Sequence, residues 1–164
     1  MRLRATQAVW IALALGLAVW WFARVGAGPE AELRGRLDRI EELLEKRGDE
    51  GALESAERAR RLGDVFLPSF ALDLPQAGGV SDRESLVRPF VGLRRQAETI
   101  AVDFSEVDVL IEGARARTEM TATVRGVGGE RTGDSRYRVT IGWQLDDGIW
   151  RIAEAQAVEA DGLF

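Results

Sequence analysis

The strongest constraint on this chain is an alternation of apolar and polar residues that starts at Ile100 and continues almost to the C-terminus. Ile100, Val102 and Phe104 alternate with other residues, and then Val107, Val109 and Ile111 continue the apolar set with the phase moved by one. Successive side chains of a strand point to opposite faces, so such a slip would turn the apolar set outward unless an extra residue is bulged out. The pattern therefore predicts a β-bulge near Ser105-Glu106. Glu112-Gly113 reads as a tight turn, after which Ala114, Ala116, Thr118, Met120, Ala122 and Val124 share one side of a strand. Arg115, Arg117, Glu119, Thr121, Thr123 and Arg125 occupy the other side, which faces water. A Gly-rich loop, Gly126 to Asp134, leads to a strand that places Tyr137, Val139, Ile141, Trp143 and Leu145 together. Asp146-Asp147-Gly148 is a hairpin turn, and Trp150, Ile152 and Ala153 begin the last strand.

Upstream of this meander the period changes to that of helices. A helix is predicted from Ala52 to Phe66, with Leu53, Ala56, Leu62, Val65 and Phe66 towards its buried side and Leu67-Pro68 as its end. Ser69 to Leu74 reads as a first strand, followed by a loop from Pro75 to Val80. Ser81-Asp82-Arg83-Glu84 has the capping-box pattern, with Ser81 at the cap, and opens a helix carrying Leu86, Val87, Phe90 and Val91. Pro89 is expected to kink or shorten it. Before all of these, residues 29–48 form a helical stalk. Pro29 suits its first turn, Glu30 and Glu32 its positive end and Gly48 its stop. Leu33, Leu37, Ile40 and Leu44 make a narrow apolar seam on it. With only about two heptads, below the three or four that define a coiled coil, a helix packed on its own domain or serving as a stalk outweighs a dimerising one.

The N-terminus has a different character. Ala8 to Ala23 carries no charge, and continuing through Arg24 to Gly28 reaches the roughly 20 residues that span a bilayer as a helix. Arg24 would snorkel to the headgroups, and Trp10, Trp20 and Trp21 match interfacial aromatic belts. A signal peptide cut after Ala27 is the competing reading, but the apolar run sits at the long end for one. The segments are therefore a basic tail at 1–7, an anchor at 8–28, the stalk at 29–48 and a domain at 52–160. The short basic tail favours an inner-membrane protein of a bacterium with its C-terminal domain in the periplasm. Arg24, Arg34, Arg36 and Arg39, counted bare, would favour the opposite orientation.

Composition closes off several functions. A net charge of −5 and a pI near 5.0 argue against nucleic acid as a partner, since that binding needs a basic surface. The chain has neither cysteine nor histidine, which removes thiolate chemistry, disulfides, the commonest general base and the commonest transition-metal ligand. No metal or other cofactor is expected.

The order of helix, short strand, capped helix and long antiparallel strands resembles the nuclear transport factor 2-like superfamily. The stretches that carry the likeness are ARRLGDVFLPSFALDLP, SDRESLVRPF and the closing DDGIWRIAEAQAVE. The resemblance implies an α+β cone, a bent antiparallel sheet wrapped around helices. Enzymes of that superfamily place catalytic groups at the mouth of the cone, yet their histidine, tyrosine-on-first-helix and Asp–Arg–Asp sets have no counterpart here, so no catalytic residue is assigned. Residues that could line a cavity are Tyr137, Trp143, Trp150, Glu154 and Asp73. Glu154 follows Trp150 and Ile152 in the same alternation, so it is either a buried base beside two tryptophans or the point where the last strand meets solvent. The expectation is a membrane-tethered, non-catalytic interaction or assembly module, with membrane lipid and a protein partner or second copy as its contacts. The alternative is a domain that binds a small hydrophobic ligand, or an isomerase-, dehydratase- or cyclase-like enzyme, using the cone interior.

Overall fold

The computed structural model describes residues 28–74, 78–127 and 133–160. In chain order these form helix α1 (Pro29–Leu44), helix α2 (Ala52–Gly63), strand β1 (Phe66–Leu74), strand β2 (Gly78–Val80), helix α3 (Arg83–Gln96) and strands β3 (Thr99–Glu112), β4 (Arg115–Val127), β5 (Gly133–Asp146) and β6 (Ile149–Glu159). The chain divides into two compact units, one ending at Gly35 and the other starting at Arg36. The anchor expected at 8–28, with Trp10, Trp20, Trp21 and Arg24, lies outside the described residues except for Gly28. Among the described residues no helix is long and apolar enough to cross a membrane.

The alternation read from the sequence becomes one six-stranded sheet in the order β2-β1-β6-β5-β4-β3. It is mixed rather than antiparallel throughout, because β1 lies parallel to β6 while its other pairings are antiparallel. The parallel pair arises because the chain leaves β1 and returns to its side only after α3 and the β3–β5 meander, a crossover of the length that parallel strands need. The predicted bulge is present. The β3–β4 register breaks between Ser105 and Asp108, and Glu106 takes a positive φ of 54°. The phase of the apolar set is thereby restored, and Phe104 pairs with Ala122 and Val109 with Thr118 on the same face. The β5–β6 hairpin turns through Asp147 and Gly148, both at positive φ, the left-handed pair that an Asp-Gly turn supplies most cheaply.

The inner face of the sheet is filled by large side chains. Met120, Ile141, Trp143, Trp150 and Ile152 are all buried, and the Phe66 and Phe70 rings meet at 4.6 Å between centroids. The seam of α1 is also buried. Leu33, Leu37 and Ile40 are inaccessible, Leu43 joins them, and Leu44 packs against Ala97, Ile100 and Val102. The leucines from Leu37 onward are therefore buried within their own unit, as for a helix packed on its domain, and do not form an exposed dimerising stripe.

Three local expectations are corrected. Helix α2 ends at Gly63, and Phe66, Leu67 and Pro68 belong to β1. Its buried side is Ser55, Ala59 and Leu62, whereas Leu53 is 83% exposed and Ala56 is exposed. Taking the helix three residues too far put Val65 and Phe66 into the helical pattern and rotated the assumed face. Pro89 does not end α3, which runs unbroken for 14 residues. The cap of α3 is Asp82 rather than Ser81: its carboxylate accepts from the Ser85 backbone N–H at 2.8 Å and from the Ser85 hydroxyl at 2.6 Å.

Those two bonds hold the Asp82 carboxyl below its ordinary value of 3.8, the hydroxyl contributing most. A carboxyl with a depressed folded-state pKa stabilises the fold above its unfolded value and loses that contribution as pH falls through the lower folded one. Protection of the first-turn amides of α3, their exchange taken relative to the intrinsic rate at each pH, should therefore fall below about pH 4. In Asp82→Asn it should show no such dependence. A pH-independent wild-type profile would contradict the assignment.

The α1–α2 junction is tied to α3 by two cations that exchange roles. The Arg94 side chain is fully buried. It donates to the carbonyls of Leu43, Leu44 and Glu45 at the C-terminus of α1 and to the carboxylate of Glu50. Lys46, the only lysine, reaches the other way and donates to the carbonyls of Arg94 at 2.8 Å and Ala97 at 2.6 Å. Each cation thus meets the partial negative charge of a helix C-terminus. Lys46 also pairs through its backbone with Ile100, which aligns the start of β3.

Candidate functional site

One face of the sheet carries a groove of about 710 Å³, lined among others by Asp73, Gly79, Ser81, Arg117, Thr140, Gly142, Glu154 and Gln156. Strand register shows which face it occupies. Arg117 pairs with Gly142 and Glu119 with Thr140, whereas the inner-face residues Thr118 and Trp143 pair with Ile141 and Ala116. Gly142 and Thr140 in turn oppose Glu154 and Gln156, and these lie beside Ala71 and Asp73 of β1. The groove is therefore on the outer face, across β4, β5, β6 and β1, with residues of β2 at its far side.

Glu154 arrives there through a second bulge. Trp143 pairs with Ile152 but Gly142 pairs with Glu154, which leaves Ala153 as an extra residue on β6. A strict alternation would have set Glu154 beside Trp150 and Ile152, and the bulge moves it to the opposite face, where it is exposed. Its side chain then lies flat across Gly142: a Cβ at that position would sit 2.6 Å from Glu154 Cγ and 2.9 Å from Oε1. Only glycine leaves that room, and a glycine inside a strand is the sequence signal for a close approach of this kind. Glu154 therefore meets solvent and is not a base buried between tryptophans.

Of the residues expected to line the cone interior, Asp73 and Glu154 instead line this outer-face groove. Trp143 and Trp150 are 2% exposed and belong to the core, where the Trp143 indole N–H donates to the Thr118 hydroxyl at 2.9 Å. Tyr137 is half-buried on β5 opposite Ala122 and does not line the groove. The sequence reading missed Arg117, Thr140, Gly142, Gln156 and Ser81, because a polar strand face looks the same whether it borders a groove or open water. Arg117 is ion-paired with Glu119 at 2.9 Å, while neither Asp73 nor Glu154 is ion-paired with a described residue. Among the described residues no three carboxylates come together as metal ligands.

No family model matches the chain, and no curated protein matches it. Solved structures do. An NTF2-like protein with a cystatin-like fold from Novosphingobium aromaticivorans superposes with a TM-score of 0.64 at 14% identity, covering 92% of this chain and 89% of its own. A protein from the same organism named for scytalone dehydratase gives 0.64 at 9% identity over 80% of this chain and 83% of its own. A calcium/calmodulin-dependent protein kinase II association domain from Xanthomonas campestris gives 0.66 at 16% identity over 83% and 91%. At these identities the likeness is one of fold, and with the mixed six-stranded sheet and its helices it shows that the chain has the NTF2-like, cystatin-like α+β fold.

Proposed function

We propose that this chain is a small-molecule-binding domain whose ligand site is the outer-face groove. The observation that carries the reading is the groove itself. Its volume lies within the roughly 300–1,000 Å³ of small-molecule sites. Its lining joins small residues (Ala71, Gly79, Gly142) to several polar side chains. That a similar structure is named for a dehydratase supports small-molecule chemistry on this fold by analogy alone. The cone interior offers less room, since Met120, Trp143, Trp150 and Ile152 occupy the inner face.

The test is a fragment screen by amide NMR on the full-length protein in lipid nanodiscs. Ligands should move the resonances of Gly79, Gly142 and Ala155, and Gly142→Leu, which fills the floor and pushes the exposed Glu154 side chain aside, should abolish the shifts at Gly79 and Ala155. Shifts concentrated instead at Met120, Trp143 and Ile152 would place binding in the cone interior and overturn the reading.

The tether is part of the same proposal and rests on sequence, on the apolar run from Ala8 and the tryptophans at its ends. The full-length chain should stay in the membrane pellet after alkaline carbonate extraction, and deletion of residues 1–28 should release it. Release of the intact chain by carbonate would remove the tether from the proposal.

A further inference from the structure

Resting on the groove as the ligand site, we infer that the ligand it selects is a small organic cation, an amine or guanidinium on a short hydrocarbon body. Three features of the groove converge on this chemistry. Asp73 and Glu154 stand on adjacent parallel strands, with Ala71 beside Glu154 and Asp73 beside Gln156, so the two carboxylates are separated by one step along the sheet. Neither is neutralised by a described cation, and Arg117, the one cation among the described residues that line the groove, is already paired with Glu119. A ligand entering here therefore meets two acceptors without counter-charge, while an anion would have to compete with Glu119 for Arg117 and approach both carboxylates.

The third feature is that Glu154 is placed by the fold. The Ala153 bulge turns it to this face, and the absence of a side chain at Gly142 lets its carboxylate lie over the floor of the groove instead of pointing into bulk water. Gly142 and the bulge are positioning elements for that carboxylate. Thr140, Gln156 and Ser81 line the same groove and supply neutral acceptors for the remaining N–H groups of an ammonium or guanidinium. The methyl group of Ala71, which lies beside Glu154, would take the hydrocarbon part.

The experiment uses n-butylamine, butyramide and butyrate, which share a chain and differ in charge, titrated into the full-length protein in nanodiscs and followed at the Gly79, Gly142 and Ala155 amides. Butylamine should shift these resonances and the other two should not. Glu154→Gln and Asp73→Asn should each weaken butylamine about threefold, and the double variant about tenfold, as expected for partly exposed ion pairs. Rising salt should weaken it further. Butyramide or butyrate moving the same amides as strongly as butylamine would overturn the cation inference and leave the groove as a binding site. Silence from all three, alongside a fragment screen that finds other ligands there, would also overturn it. Silence in both experiments would overturn the groove reading with it.

Discussion

Replacing Arg94 by alanine should destabilise the protein by about 3–5 kcal/mol, among the largest effects of any single substitution outside the apolar core. The side chain is fully buried, and its removal leaves the Glu50 carboxylate, itself 5% exposed, with Arg58 at 3.4 Å as its remaining cation. It also leaves the carbonyls of Leu43, Leu44 and Glu45 without their donor at a helix end that no neighbouring backbone N–H group is shown to satisfy. An uncompensated buried charge is what makes loss of one partner costly, whereas replacing a whole buried pair by apolar groups often costs little. Arg94→Met with Glu50→Leu should therefore recover much of the loss seen in Arg94→Ala. Urea denaturation of the three proteins measures this directly. For a chain of this size the single variant should lower Tm by roughly 10 °C. Equal destabilisation by the single and double changes would show that the carbonyl bonds, rather than the unpaired Glu50, carry the cost. A negligible effect of Arg94→Ala would show that water replaces the guanidinium and that the network holds nothing together.

That network also marks the boundary of what the sequence could reveal. The bulge at Ser105-Glu106, the Asp147-Gly148 turn and the inward set of β4 were legible because each is a local rule with a periodic or dipeptide signature. Arg94 was not. It lies on a helix whose apolar positions are only half-buried, and an arginine among the charged residues of its last turn reads as solvated. Its role depends on a junction about 50 residues upstream, and no period connects the two. The same reason hid the parallel pairing of β1 with β6.

The outer-face groove was not legible as a site, because Asp73 and Glu154 were expected in the cone interior and lie on the opposite face. Asp73 and Glu154 were singled out, but Glu154 for a reason the structure reverses, since Ala153 is a bulge with no apolar phase slip to announce it: Ala155 and Ala157 are too small and weakly patterned to show that the inward set has moved. The glycine at 142 was the readable clue, a residue without β-propensity in the middle of an otherwise aromatic and β-branched strand. Composition excluded histidine and cysteine chemistry, and among the described residues the groove offers carboxylates, amides and hydroxyls.

Trp143→Ala should cost about 3–5 kcal/mol, the range for truncating a large aromatic in a packed core. Trp143 is 2% exposed and sits between Ala116 on β4 and Ile152 on β6, so its ring fills the space left by a small neighbour on one side. The residue is also polar at one point. Its indole N–H donates to the Thr118 hydroxyl at 2.9 Å, and Thr118 is wholly inaccessible, so water has no route to replace either partner. Thr118→Val, nearly isosteric, should therefore cost about 1–3 kcal/mol by leaving a buried donor unpaired. Trp143→Phe should cost a similar amount through lost volume and an orphaned hydroxyl. If the hydrogen bond is the coupling between them, the double variant should be less destabilised than the sum of the singles by about 0.5–3 kcal/mol. Chemical denaturation of the four proteins closes the cycle. Strict additivity would mean that Thr118 and Trp143 stabilise the sheet independently and that the buried hydroxyl is satisfied elsewhere, while Val at 118 proving neutral would mean that the indole N–H finds a new acceptor by rotating within the core.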